Sequence, residues 1–134
     1  MSTEDGKLAN EIGRDARQKR VADWCLAAFG SAQAQSTAQR GIRLAEEAIE
    51  AAQAAGCDVE MVHKLVDYVY GRPVGELHQE LGGVGVCLLA LASTAGLSAD
   101  QCEAQEVTRI LSKPLEHFSA RNDSKNKAGF QVPS

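Results

Sequence analysis

Three glutamates give the sequence its first chemical signal: Glu46, Glu47 and Glu50 fall together in the stretch RLAEEAIEAAQ. On a helix, side chains three and four residues apart rise on one side, so these carboxylates and Arg43 share an arc of about 100°. Ile42, Leu44, Ala45, Ala48, Ile49 and Ala52 fill the opposite arc. Such an arrangement has two readings. A solvated helix exterior would look the same, with Arg43 paired to Glu47 one turn on. A cluster of hard oxygen ligands would also suit a divalent cation.

A fourth carboxylate sharpens the choice. Glu80 precedes an uncharged run, Leu81 to Ala99, and shares a helical side with Val84, Cys87 and Leu91. From Leu81 to Leu91 the run is apolar all round, which predicts a helix enclosed by protein. A carboxylate aimed along a buried face needs a partner, because an unpaired buried charge is prohibitively costly. Bases are scarce there: residues 46–80 hold eight acids against Lys64 and Arg72. A hard cation shared by the two helices would satisfy both sets of carboxylates. The plainer alternative places Glu76 and Glu80 in a first helical turn, where the dipole favours negative charge.

The elements that must position these groups are helices. The chain has 134 residues, 44% hydrophobic and 24% charged, which suits one globular domain and excludes collagen-like, low-complexity and disordered classes. Aromatic residues make up 4%, and β-branched residues are sparse beside 21 alanines, so an all-α bundle is predicted. Glycines and caps divide it into about five helices. The first runs from about Glu11 to Phe29 and stops at Gly30; the second runs from about Ser36 to Ala55 and stops at Gly56. Asp58 caps a short third helix reaching Tyr70, and Gly71-Arg72-Pro73 breaks the chain. A fourth spans about Val74 to Ala95, and a fifth runs from its Ser98 cap to about Ser119. Residues 1–120 then form the domain, and the polar segment from 121 to 134 is expected to be a tail that can move.

Several functions drop out. Cys25, Cys57, Cys87 and Cys102 are widely spaced with no CxxC pair, which predicts reduced thiols in a cytoplasmic protein and no zinc site. The uncharged run falls short of the roughly 20 apolar residues of a membrane span. A net charge of -4 with few aromatics argues against nucleic acid as partner. His78-Gln79-Glu80 lacks the PCxxC of zinc deaminases, and Gly82-Gly83-Val84-Gly85 lacks the strand and lysine of a phosphate loop. What remains is a charge asymmetry. Bases gather at both ends, in Arg14–Arg20 and Arg109–Lys127, around the acidic centre. That arrangement could hold a cation and an anion side by side.

The segment from Arg40 to Leu91 resembles the MazG-like branch of the all-α nucleoside triphosphate pyrophosphohydrolases. That branch carries an ExxE motif on one helix and an ExxD motif on a later one, which together bind magnesium. Here EEAIE supplies Glu47 and Glu50, with Glu46 beside them, and QELGGVGV supplies Glu80. VADWCLAAFG, LVDYVYGRPVGE and the run after Ser98 extend the likeness over most of the chain. Two departures stand out: Gly83 occupies the place of the motif's aspartate, and 29 residues separate Glu50 from Glu80, more than in compact members. Asp67, Glu46, Glu76 or water could supply the missing oxygen.

The resemblance implies hydrolysis of nucleoside or deoxynucleoside triphosphates to monophosphate and pyrophosphate with Mg2+, or Mn2+, with the clearing of non-standard nucleotides as an implied role. Metal ligands would be Glu47, Glu50, Glu80 and Asp67, and Glu47 or Glu50 would hold the attacking water. Arg109, Lys113, Lys125 and Lys127 are candidates to meet charge on the departing pyrophosphate. Trp24 and Phe29 could stack on a base, although a Trp in an apolar stripe is more often core. Glu46 would sit beside the substrate. A fourth helix this apolar needs more cover than its neighbours supply, which predicts a homodimer or homotetramer. Two rivals share the fold: a nucleotide-binding or structural protein without turnover, and a phosphoribosyl-ATP pyrophosphohydrolase.

Overall fold

The computed structural model describes residues 13–133, and among them every element is helical. Six α-helices follow in order: α1 (Arg14–Ala34), α2 (Thr37–Ala54), α3 (Val59–Tyr70), α4 (Leu77–Thr94), α5 (Ala99–Leu111) and α6 (Leu115–Lys125). A five-residue π-helical turn, Asn126–Phe130, follows α6. The all-α expectation holds. The predicted start of the first helix, at Glu11, lies outside the described residues.

Local chemistry sets most of the boundaries. Ser36 Oγ accepts from Gln39 N at 3.2 Å, Asp58 Oδ1 from Met61 N at 2.8 Å, and Ser98 Oγ from Gln101 N at 3.2 Å, so α2, α3 and α5 each begin on a side-chain cap. Gly30 interrupts α1 with φ 80° and ψ 161°, a conformation that L side chains rarely adopt. α2 ends in a Schellman turn around Gly56, where Cys57 N reaches Ala52 O at 3.0 Å and Gly56 N reaches Gln53 O at 3.0 Å.

Three predicted boundaries are corrected. α4 starts at Leu77 rather than Val74, with Glu76 extended at φ -86° and ψ 128° as its N-cap residue. The expected fifth helix is two: Pro114 offers no N–H and disfavours helical geometry at Lys113, so α5 stops at Leu111 and α6 starts at Leu115. The third correction concerns the C-terminal segment, which does not begin as a tail at Arg121. α6 continues through it to Lys125, and Asn122 is buried. Gln39, the most deeply buried side chain, donates Nε2 to Phe130 O at 3.2 Å and accepts Val132 N at 2.7 Å, which fastens the segment to α2.

The packed part of the molecule is small. α1 lies against α6, and also meets α2 and α5. Ala28, Ala104, Val107 and Phe118 form its apolar core. Trp24 stands edge-on between Phe29 and Phe118, with ring centroids 5.3 and 5.0 Å away. Arg17, 3% exposed, ties α1 to the start of α5 through Asp100 Oδ1 at 2.6 Å and Glu103 Oε1 at 2.8 Å. The hydrogen bond to Asp100 is the main reason its guanidinium is held above its ordinary pKa.

The rest of the chain is an arm. From Arg40 to Glu103 not one residue is buried, so the second half of α2, all of α3 and all of α4 stand out in solvent. The fourth helix, expected to be enclosed, is open on its apolar sides: Val86 is 67% exposed and Leu89 58%.

Candidate functional site

A cavity of about 380 Å³ opens where α1, α2, α5 and α6 meet. Its apolar wall is Trp24, Phe29, Ile110 and Phe118, and its charged rim is drawn from α2, α5 and α6. Five bases (Arg40, Arg43, Arg109, Arg121, Lys125) face three acids (Glu46, Glu47, Glu106), which leaves a surplus of cations.

Each charged side chain is placed by its helix. Glu46 and Glu47 project from the acidic side of α2, with Arg43 one turn before. Lys125, in the last turn of α6, donates Nζ to Glu46 Oε1 at 2.8 Å, and both side chains are about two-thirds buried. Arg43 Nη2 donates to Asn122 Oδ1 at 3.2 Å and to Asn126 Oδ1 at 3.5 Å. Asn122 in turn donates Nδ2 to Gln33 Oε1 at 2.7 Å, so α1, α2 and α6 are bridged beneath the rim. Arg109 Nη2 donates to Glu106 Oε2 at 3.1 Å on its own helix. That bond is the main reason its guanidinium is held above its ordinary pKa, and Glu47 across the cavity adds to the effect.

Donors without acceptors mark the inner wall. Trp24 Nε1 and Arg40 Nε and Nη2 are buried with no hydrogen-bond partner, although the Arg40 guanidinium sits 5.0 Å over the Phe29 ring. Leaving such groups unsatisfied costs about 1–3 kcal/mol each, more for a charged one. Beside this wall lies Cys25, whose thiol pKa is pushed up by burial and pulled partly back by Arg40.

The sequence-predicted residues divide between this cavity and the arm. Trp24, Glu46, Glu47, Arg109 and Lys125 line the cavity together. Glu50 lies one turn beyond Glu46 on α2, exposed and outside the lining. Lys113 is exposed in the break between α5 and α6, close enough to help depress the His117 pKa, for which desolvation is the larger cause. Asp67 stands on α3, exposed. Glu80 occupies the first turn of α4, where its carboxylate folds back against Gly75. Among the described residues no three His, Cys, Asp or Glu side chains gather where they could hold a metal ion. Glu80 and Asp67 thus form no such three-residue group with the α2 carboxylates among the described residues.

Arg40, Arg121 and Asn122 line the cavity without having been singled out from the sequence. Arg43 did carry a signal, its place among the glutamates of α2, but its bonds to Asn122 and Asn126 depend on α6 folding back. No family, curated protein or solved structure matches the chain.

Proposed function

We propose that the chain binds a nucleoside triphosphate, as its magnesium complex, in the cavity between α1, α2, α5 and α6 and hydrolyses it to nucleoside monophosphate and pyrophosphate. One observation carries this reading. A single cavity combines an aromatic wall, a surplus of cationic side chains, and three carboxylates on its rim. A flat base, a polyphosphate and a metal-bearing phosphate each find a chemically matched surface there.

The donor set is compatible with the metal. Magnesium commonly binds through one or two carboxylates, substrate phosphates and waters rather than through a cage made by protein alone. Glu47, with Glu46 beside it and Glu50 one turn on, supplies carboxylates of that kind. When bound, the ion would neutralise phosphate charge and polarise the α-phosphoryl group. Glu47 would orient a water for in-line attack on the α-phosphorus and accept its proton. The bond from that phosphorus to the bridging oxygen breaks, and the oxygen leaves with pyrophosphate. Arg109, Arg121 and Lys125 would stabilise the charge that collects there.

A second reading, binding without turnover, is favoured by Gly83, which stands where the resembled motif carries its aspartate. Pyrophosphate release from canonical and modified triphosphates with magnesium or manganese distinguishes the two. Release that is lost in Glu47→Gln supports hydrolysis. Tight binding with no release supports the second reading.

A further inference from the structure

Gln39 is 1% exposed, and the bonds of its side-chain amide go to the main chain of the C-terminal segment, at Phe130 O and Val132 N. A buried amide satisfied in this way is a clasp set for one arrangement of that segment. The segment itself is lightly held. None of residues 126–133 is buried and the Phe130 side chain is 54% exposed, so docking depends on a few polar contacts and is open to local release. Gly129 makes the docked arrangement possible. At φ 101° it turns the chain out of the π-helical turn into extended Gln131, and a Cβ added there would meet no neighbour. Backbone conformation alone stands against another residue at this position.

The segment joins the cavity rim at two places. Asn126 Oδ1 accepts from Arg43 Nη2 at 3.5 Å, and Lys125, the residue before it, closes α6 and donates to Glu46 Oε1. Arg43 and Lys125 both line the cavity, whereas Gln39 lies outside the lining. A last helical turn frays unless the chain beyond it is tied down. With the segment released, Lys125 would lose the helical geometry that carries it to Glu46, and Glu46 would face the cavity as an unbalanced anion. We propose that residues 126–133 are a strap whose docking on Gln39 sets Arg43 and Lys125 on the rim, so that strap docking and polyphosphate binding in the cavity strengthen each other. Gln39 is then a positioning residue that acts through the strap. The inference rests on the reading of the cavity as a polyphosphate site and does not need turnover. Linkage makes the effect reciprocal: the factor by which the docked strap tightens binding is the factor by which the ligand tightens docking.

Limited trypsin digestion and isothermal titration of the full chain with magnesium tripolyphosphate test the proposal. Lys127 lies in the strap outside the cavity lining, and the exposed Lys64 on α3 serves as reference. Saturating tripolyphosphate should slow the cut after Lys127 about tenfold relative to the cut after Lys64. Val132→Pro removes the amide hydrogen that Gln39 Oε1 accepts, and Gly129→Ala opposes the turn; neither position lines the cavity or belongs to the core. Each should speed the Lys127 cut in the absence of ligand, and Val132→Pro should weaken tripolyphosphate binding about tenfold. In the Val132→Pro background Gln39→Ala should cost little further affinity, whereas a residue that only packs would cost the same in both backgrounds. A Lys127-to-Lys64 cutting ratio that tripolyphosphate leaves unchanged overturns the proposal, and that readout needs no variant. So do equal affinities of wild type and Val132→Pro, or a Gln39→Ala loss that is the same in both backgrounds. Wild type that binds no tripolyphosphate also overturns it, while the nucleotide reading still answers to pyrophosphate release.

Discussion

Lys125 Nζ and Glu46 Oε1 are 2.8 Å apart, joining the last turn of α6 to the acidic side of α2 across one edge of the cavity. A residue from the segment expected to be a tail is thus part of the candidate site. The pair also balances a carboxylate that would otherwise repel an incoming triphosphate.

Replacing Lys125 by alanine should therefore act on binding more than on folding. A partly exposed ion pair contributes up to about 1 kcal/mol to stability. Loss of the cation, with Glu46 left unbalanced, should weaken triphosphate binding about tenfold, or ~1.4 kcal/mol. Isothermal titration of wild type and Lys125→Ala with a non-hydrolysable triphosphate measures this. Equal affinities would remove Lys125 from the binding surface.

Trp24 is the chain's single tryptophan, and its Nε1 has no acceptor in the cavity wall. Its fluorescence should report the cavity's occupancy directly. Saturable quenching or a spectral shift on adding a nucleoside triphosphate is expected, with a smaller response to tripolyphosphate, which has no base to contact the aromatic wall. Identical emission at every concentration of nucleotide would place the ligand elsewhere.

Burial raises the Cys25 thiol pKa, and the thiolate is the reactive form. At pH 8 iodoacetamide should modify Cys25 several-fold more slowly than the exposed Cys57, as followed by mass spectrometry of the digested protein. Stability has a corresponding sign. The folded state holds the proton to higher pH than the unfolded state does, so the native chain loses stability as pH rises above the thiol's ordinary pKa. Cys25→Ser should flatten the alkaline side of the stability profile. Equal alkylation rates would contradict the burial argument.

The sequence reveals those features of the fold whose causes are local. Ser36, Asp58 and Ser98 accept hydrogen bonds from amides three residues on, and Gly30 and Gly56 adopt conformations that other residues disfavour, so those helix ends can be read in place. The break at Pro114 is harder to see because apolar spacing runs across it, from Leu111 to Leu115. The fate of the C-terminal segment is set at a distance. Asn122 is buried by Gln33 and Arg43, and Phe130 is held by Gln39, partners about 80 to 90 residues away in sequence. The site divides along the same line. Glu46 and Glu47 share a helical side by spacing alone, and Arg109 and Lys125 belong to basic stretches visible in composition. Their meeting in one cavity, with Arg40 and Arg121, depends on how α1, α2, α5 and α6 pack. Asp67 and Glu80 stand exposed on an arm whose apolar surface finds no cover within one chain.

Pyrophosphate release by wild type and Glu47→Gln, measured side by side with magnesium and a panel of nucleoside triphosphates, tests the central claim most directly. The account predicts release by the wild type on at least one triphosphate. It predicts a loss of about 100-fold or more in the variant, with binding retained by Trp24 fluorescence. Wild-type protein that releases no pyrophosphate from any of them, or a Glu47→Gln variant as active as the wild type, would contradict it.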